Sequence, residues 1–354
     1  EIGCEIEDWN NAGGDSGNEG DGGSGEGGSE DDEDTNVYTD LSAAGTANCY
    51  LIQGAGDYKF RSVIGNTDAT VGNVKSVDVL WESFGTDEMP NVGDLIASVS
   101  YKDGYIRFST PENFRDGNAL IAAKNSKGTI LWSWHIWMTD KPEVYDYQNN
   151  GIPQSGGATD GYYCMDRNLG ATSATPEDGY ETFGLYYQWG RKDPFLGSSS
   201  LYSNEESAST LAWPSAVSSD SSNGTIAYAT ANPTTFITRN SNNYDWYYTG
   251  SSYTDNTRWT TSDKSKSIYD PCPAGWRVPD GGDNGVWSKA RGSSSYFNHT
   301  YNSSNKGMNF SSKFGSASTI WYPASGSLYG SVGELCNVGS EGCYWSASPS
   351  SYKS

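Results

Sequence analysis

Ile130-Leu131-Trp132-Ser133-Trp134-His135-Ile136-Trp137-Met138 is the run on which the fold turns. Its even positions are all apolar, and on the odd side Leu131 and Trp137 flank Ser133 and His135. A strand that is apolar on both faces must be covered on both, so the run reads as a central strand. Just before it, Asn125-Ser126-Lys127-Gly128 is a turn sequence joining it to the apolar residues 119–123. Further out, Tyr58 and Phe60 alternate with Lys59 and Arg61. Val77, Val79 and Trp81 alternate with Ser76 and Asp78, and Ile106 and Phe108 with Tyr105 and Arg107. Period-2 alternation makes half-buried strands. Asp103-Gly104 separates the runs 95–101 and 105–108, and a two-residue hairpin wants a positive φ at both of those positions. About seven such strands fit within residues 41–145, the size of an immunoglobulin-like β-sandwich.

Little in this first region reads as chemistry. His135 has no second His or Cys nearby in sequence, so a hydrogen-bonded core histidine is expected. Trp132, Trp134 and Trp137 read as core before they read as a binding platform. Gly54-Ala55-Gly56 opens no helical pattern and is not a nucleotide loop.

Composition bounds the rest. The chain has 354 residues, a net charge of −22, six cysteines and two histidines. Such an acidic surface argues against a nucleic-acid partner, and no apolar run has the ~18 residues of a membrane span. A histidine-rich metal centre is not expected, nor is any cofactor. Residues 1–40 hold 14 of the 44 acidic residues, ten of the 43 glycines and no Lys or Arg, so they read as a disordered acidic Gly-rich tether. Within that segment, Ile2-Gly3-Cys4 followed by Glu5, Glu7 and Asp8 resembles the start of surface-exported Bacteroidetes lipoproteins. Cys4 is therefore a candidate for lipidation and for an outer-membrane anchor.

Residues 146–354 carry three long phrases. They are Cys164-Met165-Asp166-Arg167-Asn168-Leu169-Gly170-Ala171-Thr172, Gly184-Leu185-Tyr186-Tyr187-Gln188-Trp189-Gly190-Arg191-Lys192-Asp193-Pro194-Phe195, and Asp270-Pro271-Cys272-Pro273-Ala274-Gly275-Trp276-Arg277-Val278-Pro279. Trp287 and Gly342-Cys343-Tyr344-Trp345-Ser346 follow. In this order they resemble the Fibrobacter succinogenes major paralogous domain, common in surface proteins of gut Bacteroidetes. The first region is similar to the module that often precedes it, through Asp40-Leu41-Ser42-Ala43-Ala44-Gly45-Thr46-Ala47-Asn48-Cys49-Tyr50 and residues 130–137. The resemblance implies an extracellular cell-surface protein ending in an α+β, C-type-lectin-like domain without an established reaction. It also implies closing strands and a late Cys beyond Ser354, so that this domain is cut short and Cys272 left over. The calcium-dependent sugar motifs of lectins, Glu-Pro-Asn or Gln-Pro-Asp with a later Trp-Asn-Asp, are absent from the sequence.

Within this second region Gly184–Trp189 is expected to make one short helix, with Gly275 and Pro279 bracketing a turn. Asp166-Arg167 reads as a fixed ion pair. Cys336 and Cys343 are seven apart in Gly-rich sequence, and in an exported protein a local disulfide between them is the first choice. Cys49 and Cys164 read as buried thiols. Glu177, Asp178 and Glu181 sit in a Pro/Gly loop and read as solvated, while Asp280-Gly281-Gly282-Asp283-Asn284-Gly285 lacks calcium-loop spacing. Residues 197–267 contain only six Leu, Ile, Val, Met or Phe, too few for an ordinary core. They nevertheless include Tyr202, Trp213, Tyr228, Tyr244, Trp246, Tyr247, Tyr248, Tyr253 and Trp259. Rings among Ser, Thr and Asn suit sugar stacking, and Tyr244, Trp246, Tyr247, Tyr248 and Trp259 are the candidate ligand site. The opposite reading makes those rings the small core of a long loop. The functional expectation is a non-catalytic adhesion or binding protein whose partner is a glycan or a host or cell-surface protein. A structural or fimbria-associated subunit is the alternative, and a glycan hydrolase a distant third.

Overall fold

A computed structural model describes residues 4–6, 37–146, 163–251, 258–261, 265–281, 297–312 and 319–348. The chain is β-rich, 31% strand against 5% helix. In order its strands are β1 (Glu5–Ile6), β2 (Thr39–Asp40), β3 (Cys49–Ile52), β4 (Asp57–Arg61), β5 (Ser76–Ser83), β6 (Ser98–Lys102) and β7 (Tyr105–Ser109). There follow β8 (Gly117–Lys124), β9 (Ile130–Met138), β10 (Val144–Asp146), β11 (Tyr163–Met165), β12 (Val217–Ser218) and β13 (Ile237–Thr238). The last are β14 (Trp276–Arg277), β15 (Phe297–Asn302), β16 (Gly307–Ser312), β17 (Thr319–Pro323), β18 (Ser327–Leu328) and β19 (Leu335–Cys336). Among the described residues one α-helix, α1 (Ile226–Ala231), follows Thr225, whose hydroxyl accepts the Tyr228 N–H.

Strands β2 to β9 form two four-stranded sheets, ordered β2-β4-β7-β6 and β3-β9-β8-β5. The hairpin β6–β7 closes at Asp103 (φ 53°) and Gly104 (φ 82°), the positive-φ pair its sequence announces. Residues 125–128 join β8 to β9, with the Gly128 N–H on the Asn125 carbonyl. Trp132, Trp134, Ile136 and Met138 of β9 point into one core with Tyr50 of the neighbouring strand β3 and with Phe60, Ile106 and Phe108 of the facing sheet. Phe60 stands 4.6 Å from Tyr50 and 5.4 Å from Trp134, ring centre to ring centre. The two sheets are therefore a sandwich, and β9 lies inside its sheet as its two-faced pattern requires.

The other face of sheet β3-β9-β8-β5 is also dry. Trp81, Leu120 and Trp137 pack there with Leu169, Leu185, Tyr187, Leu196, Trp259 and Trp276. The sheet is thus the middle layer between the first region and the second, and the cores on either side of residue 146 are not separate. A polar seam fixes the join. Asn48 donates to the carbonyls of Ile268 and Asp270, both at 2.8 Å, and accepts the Trp132 indole N–H. Asn118 donates to the Gly170 carbonyl at 2.9 Å.

Beyond the seam the backbone is mostly irregular. A 3-10 turn spans Pro176–Thr182, and the helix expected over residues 184–189 does not form. Gly184 sits at φ 76°, and Tyr186 instead exchanges both backbone hydrogen bonds with Phe195 in a β-bridge. Small sheets complete the region: β10-β11-β1-β14, β15-β16-β17, and the pairs β12-β13 and β18-β19. Strand β1 enters the first of these between β11 and β14, so the N-terminal residues 4–6 are built into the second region. Residues 7–36 of the expected tether lie outside the described residues.

Candidate functional site

The cysteines depart from expectation. Cys4 is fully buried and bonded to Cys272, with their Cα atoms 6.2 Å apart. A lipid thioether needs the same sulfur, so lipidation at Cys4 is corrected to a structural disulfide, and Cys272 is not left over. Cys336 and Cys343 are not joined to each other. Residues 326–328 run between them: Ser327 pairs with Cys336 on one side, and Gly326 bridges Gly342 on the other. Two strand spacings place the cysteines on the order of 9–10 Å apart, beyond the ~7 Å reach of a bridge.

His135 is the hydrogen-bonded core histidine expected. Asn118 spends its amide N–H on Gly170, so its Oδ1 accepts from His135 Nε2 at 2.8 Å. Nδ1 is then an acceptor facing the Cys49 thiol at 3.3 Å. Burial pushes the histidine down to about 3 and the thiol well up, so both stay neutral. That is the reverse of a thiolate–imidazolium nucleophile pair. Arg167 is ion-paired to Asp166 at 2.9 Å and to Asp140 at 2.5 Å. Glu177 and Asp178 are exposed on the 3-10 turn and Glu181 half-buried.

The five candidate rings are not one exposed surface. Trp246 and Trp259 are buried, Tyr247 and Tyr248 half-buried, and only Tyr244 is largely open. The Trp246 indole N–H donates to the Trp189 carbonyl at 2.8 Å, and that of Trp259 to the Arg191 carbonyl at 3.0 Å. Between the rings lies the Arg258 guanidinium, 4.7 Å from Trp189, 4.9 Å from Trp246 and 5.3 Å from Tyr247, with Asp245 at 2.5 Å. A stretch poor in aliphatic residues fills its interior with rings stacked on guanidinium planes, which turns these aromatics inward. Tyr253 and residues 282–285 lie outside the described residues.

A cleft of about 590 Å³ lies elsewhere in the same region. Its floor follows from strand alternation in the parallel pair β12–β13. Val217 and Ile237 are in register and face the small core around Ala229 and Trp246. Ser218 and Thr238, also in register, therefore face the opposite way and line the cleft with Phe236. The facing wall is the β18–β19 hairpin and its turn, contributing Leu328, Val332 and Glu334. Trp213 also lines the cleft. Its ring is held 5.9 Å from Trp81 and 6.1 Å from Phe195, its N–H is satisfied by Ser209, and the surface left over lines the cleft.

Glu206 and Glu334 both line this cleft. Burial of its carboxyl in the wall, and next the charge of Glu334, raise the pKa of Glu206, although the residue as a whole is exposed. Two carboxylates, several hydroxyls and two rings converge there, in a volume typical of small-ligand sites. Trp213 belongs to the aromatic set the sequence singles out. Glu206, Phe236 and Glu334 carry no motif, and only the fold brings them together. No family model, curated protein or solved structure matches this chain.

Proposed function

We propose that the protein is a glycan-binding protein of the cell exterior that takes sugar rings into the cleft between β12–β13 and the β18–β19 hairpin. The observation that carries this reading is the chemistry of the cleft walls. Trp213 and Phe236 offer apolar faces for sugar C–H groups, while Ser218, Thr238, Glu206 and Glu334 offer acceptors for paired hydroxyls. The site is displaced from the Trp246 cluster to this cleft because that cluster is consumed by packing around Arg258. The buried Cys4–Cys272 bond supports an oxidising, extracellular compartment. We also read residues 39–138 as an immunoglobulin-like sandwich and the second region as a C-type-lectin-like domain. Two facing four-stranded sheets support the first, and the phrases around Cys164, Gly184 and Asp270 the second.

A glycan-array screen of the whole chain beside Trp213→Ala tests the reading. Binding by the parent that disappears in Trp213→Ala, with both folded by circular dichroism, is the expected result. A folded parent that binds no glycan turns the function to a structural or protein-binding surface subunit. The paired carboxylates favour one second reading, hydrolysis of the bound glycan. Release of reducing ends that is lost in both Glu206→Gln and Glu334→Gln would establish it.

A further inference from the structure

Thr238 lines the cleft floor, and the residue after it, Arg239, is exposed. Its guanidinium carbon lies 5.4 Å from the ring centre of Tyr244 and 5.7 Å from that of Tyr329. Both tyrosines are about half exposed, at 47% and 51%. Arg61, Arg115, Arg167, Arg258 and Arg277 each hold a carboxylate, and Arg191 donates to the carbonyls of Thr235 and Asn232. Among the described residues the Arg239 guanidinium has neither. In a chain of net charge −22, this cation is stacked between two rings and paired with no carboxylate among the described residues.

Two fixed turns build this platform. Asn240 accepts the N–H groups of Asn242 and Asn243 at 2.9 and 3.1 Å and donates to the Asp245 carbonyl at 2.7 Å. Those bonds hold Tyr244 at φ 57°, a left-handed conformation that a tyrosine rarely adopts unsupported. On the other side the N–H groups of Val332 and Gly333 close on the Tyr329 carbonyl at 3.0 and 2.7 Å. The Arg239 N–H ties the two turns together through the Gly330 carbonyl at 2.8 Å. Val332, 46% exposed, belongs both to this second turn and to the cleft wall, so the platform continues the cleft.

A guanidinium with its fork of donors unfilled matches the two oxygens of a carboxylate, and flanking tyrosines match the C–H faces of a sugar ring. We propose that Arg239, Tyr244 and Tyr329 form a subsite for the carboxylate-bearing residue of an acidic glycan, whose neighbouring sugars occupy the adjoining cleft. The proposal rests on the glycan-binding reading and names its ligand class. The surrounding negative charge repels an acidic polymer at long range, so its preference for this protein depends on the one contact at Arg239.

The test is calorimetric titration of the whole chain with two matched pairs: oligogalacturonate against its methyl ester, and sialyllactose against lactose. At least one acidic member binds tenfold or more tightly than its neutral counterpart. Arg239→Gln abolishes that ratio while leaving neutral binding unchanged, and Trp213→Ala weakens both members. Equal affinity within both pairs, or an equal loss of both members in Arg239→Gln, overturns the subsite and leaves the cleft reading standing. Absence of binding by any of the four probes to folded protein overturns both.

Discussion

The sandwich of residues 39–138 and the irregular region after residue 163 solve the same burial problem with different atoms. In the sandwich core, Phe60, Trp134 and Ile136 close against one another, and the indole N–H of Trp134 has no partner among the described residues. Past the seam four indoles donate to backbone carbonyls, Trp189 to Ser346, Trp246 to Trp189, Trp259 to Arg191 and Trp345 to Tyr187, while Trp213 and Trp321 donate to hydroxyls. Arg191, 3% exposed, donates to the carbonyls of Thr235 and Asn232 and stacks near Phe195 and Trp246. Lys266 likewise caps the carbonyls of Cys272, Pro273 and Trp276. The lesson is one of backbone accounting. A ladder satisfies its own carbonyls and leaves side chains free to be purely apolar. A buried loop must import donors, and Trp, Arg and Lys supply them with apolar area attached.

The largest effect that sharpens this contrast belongs to the seam. His135 is neutral in the folded protein, with a pKa near 3 against about 6.5 when unfolded. The unfolded chain therefore takes up the extra proton as pH falls. Stability is intact above about pH 6.5 and is lost progressively toward pH 3, by about 5 kcal/mol at the acid limit. Denaturant unfolding across that range should show a flatter profile in His135→Gln than in the parent. A parent profile no steeper than the variant's removes the seam histidine from the account.

Next comes Arg191→Met, which strands several buried carbonyls and should cost about 4 kcal/mol. Hydrogen exchange tells where. Protection should fall in residues 226–237 while the amides of β8 and β9 keep theirs. Uniform loss would mean that the two regions share one energetic unit as well as a sheet.

Cys4→Ser should cost about 3 kcal/mol in oxidised protein, the usual size for losing a native disulfide, and almost nothing after reduction. Thermal melts with and without dithiothreitol measure this. The smallest test is a matched pair of indole deletions. Trp134→Phe removes only ring area, about 1 kcal/mol, because its N–H is unbonded. Trp246→Phe also strands the Trp189 carbonyl and should cost about 1 kcal/mol more. Equal losses in the two would erase the distinction.

The strands of the sandwich were legible because each carries its own local signal. Tyr58/Phe60 and Ile106/Phe108 alternate, and Asp103-Gly104 announces its hairpin. The Asp166–Arg167 pair was legible for the same reason, being adjacent in sequence. Illegible were Cys4–Cys272 and the meeting of Glu206 with Glu334, which have no local pattern. The aromatic stretch 197–267 announced rings and hydroxyls but not which way they face. That depended on Arg258, whose position among Trp189, Trp246 and Tyr247 is set by tertiary packing.

By itself, then, the amino-acid order determined the β character, the central strand Ile130–Met138 and the demand that both of its faces be covered. Tertiary structure alone decided what covers the second face, namely Leu169, Leu185, Tyr187 and Trp259, and which aromatics remain open at a cleft. The physical reason is range. Alternation and turn chemistry act over a few residues and are written locally. A shared layer, a disulfide across most of the chain and a cleft walled by residues 206–238 and 328–334 exist only once distant segments pack.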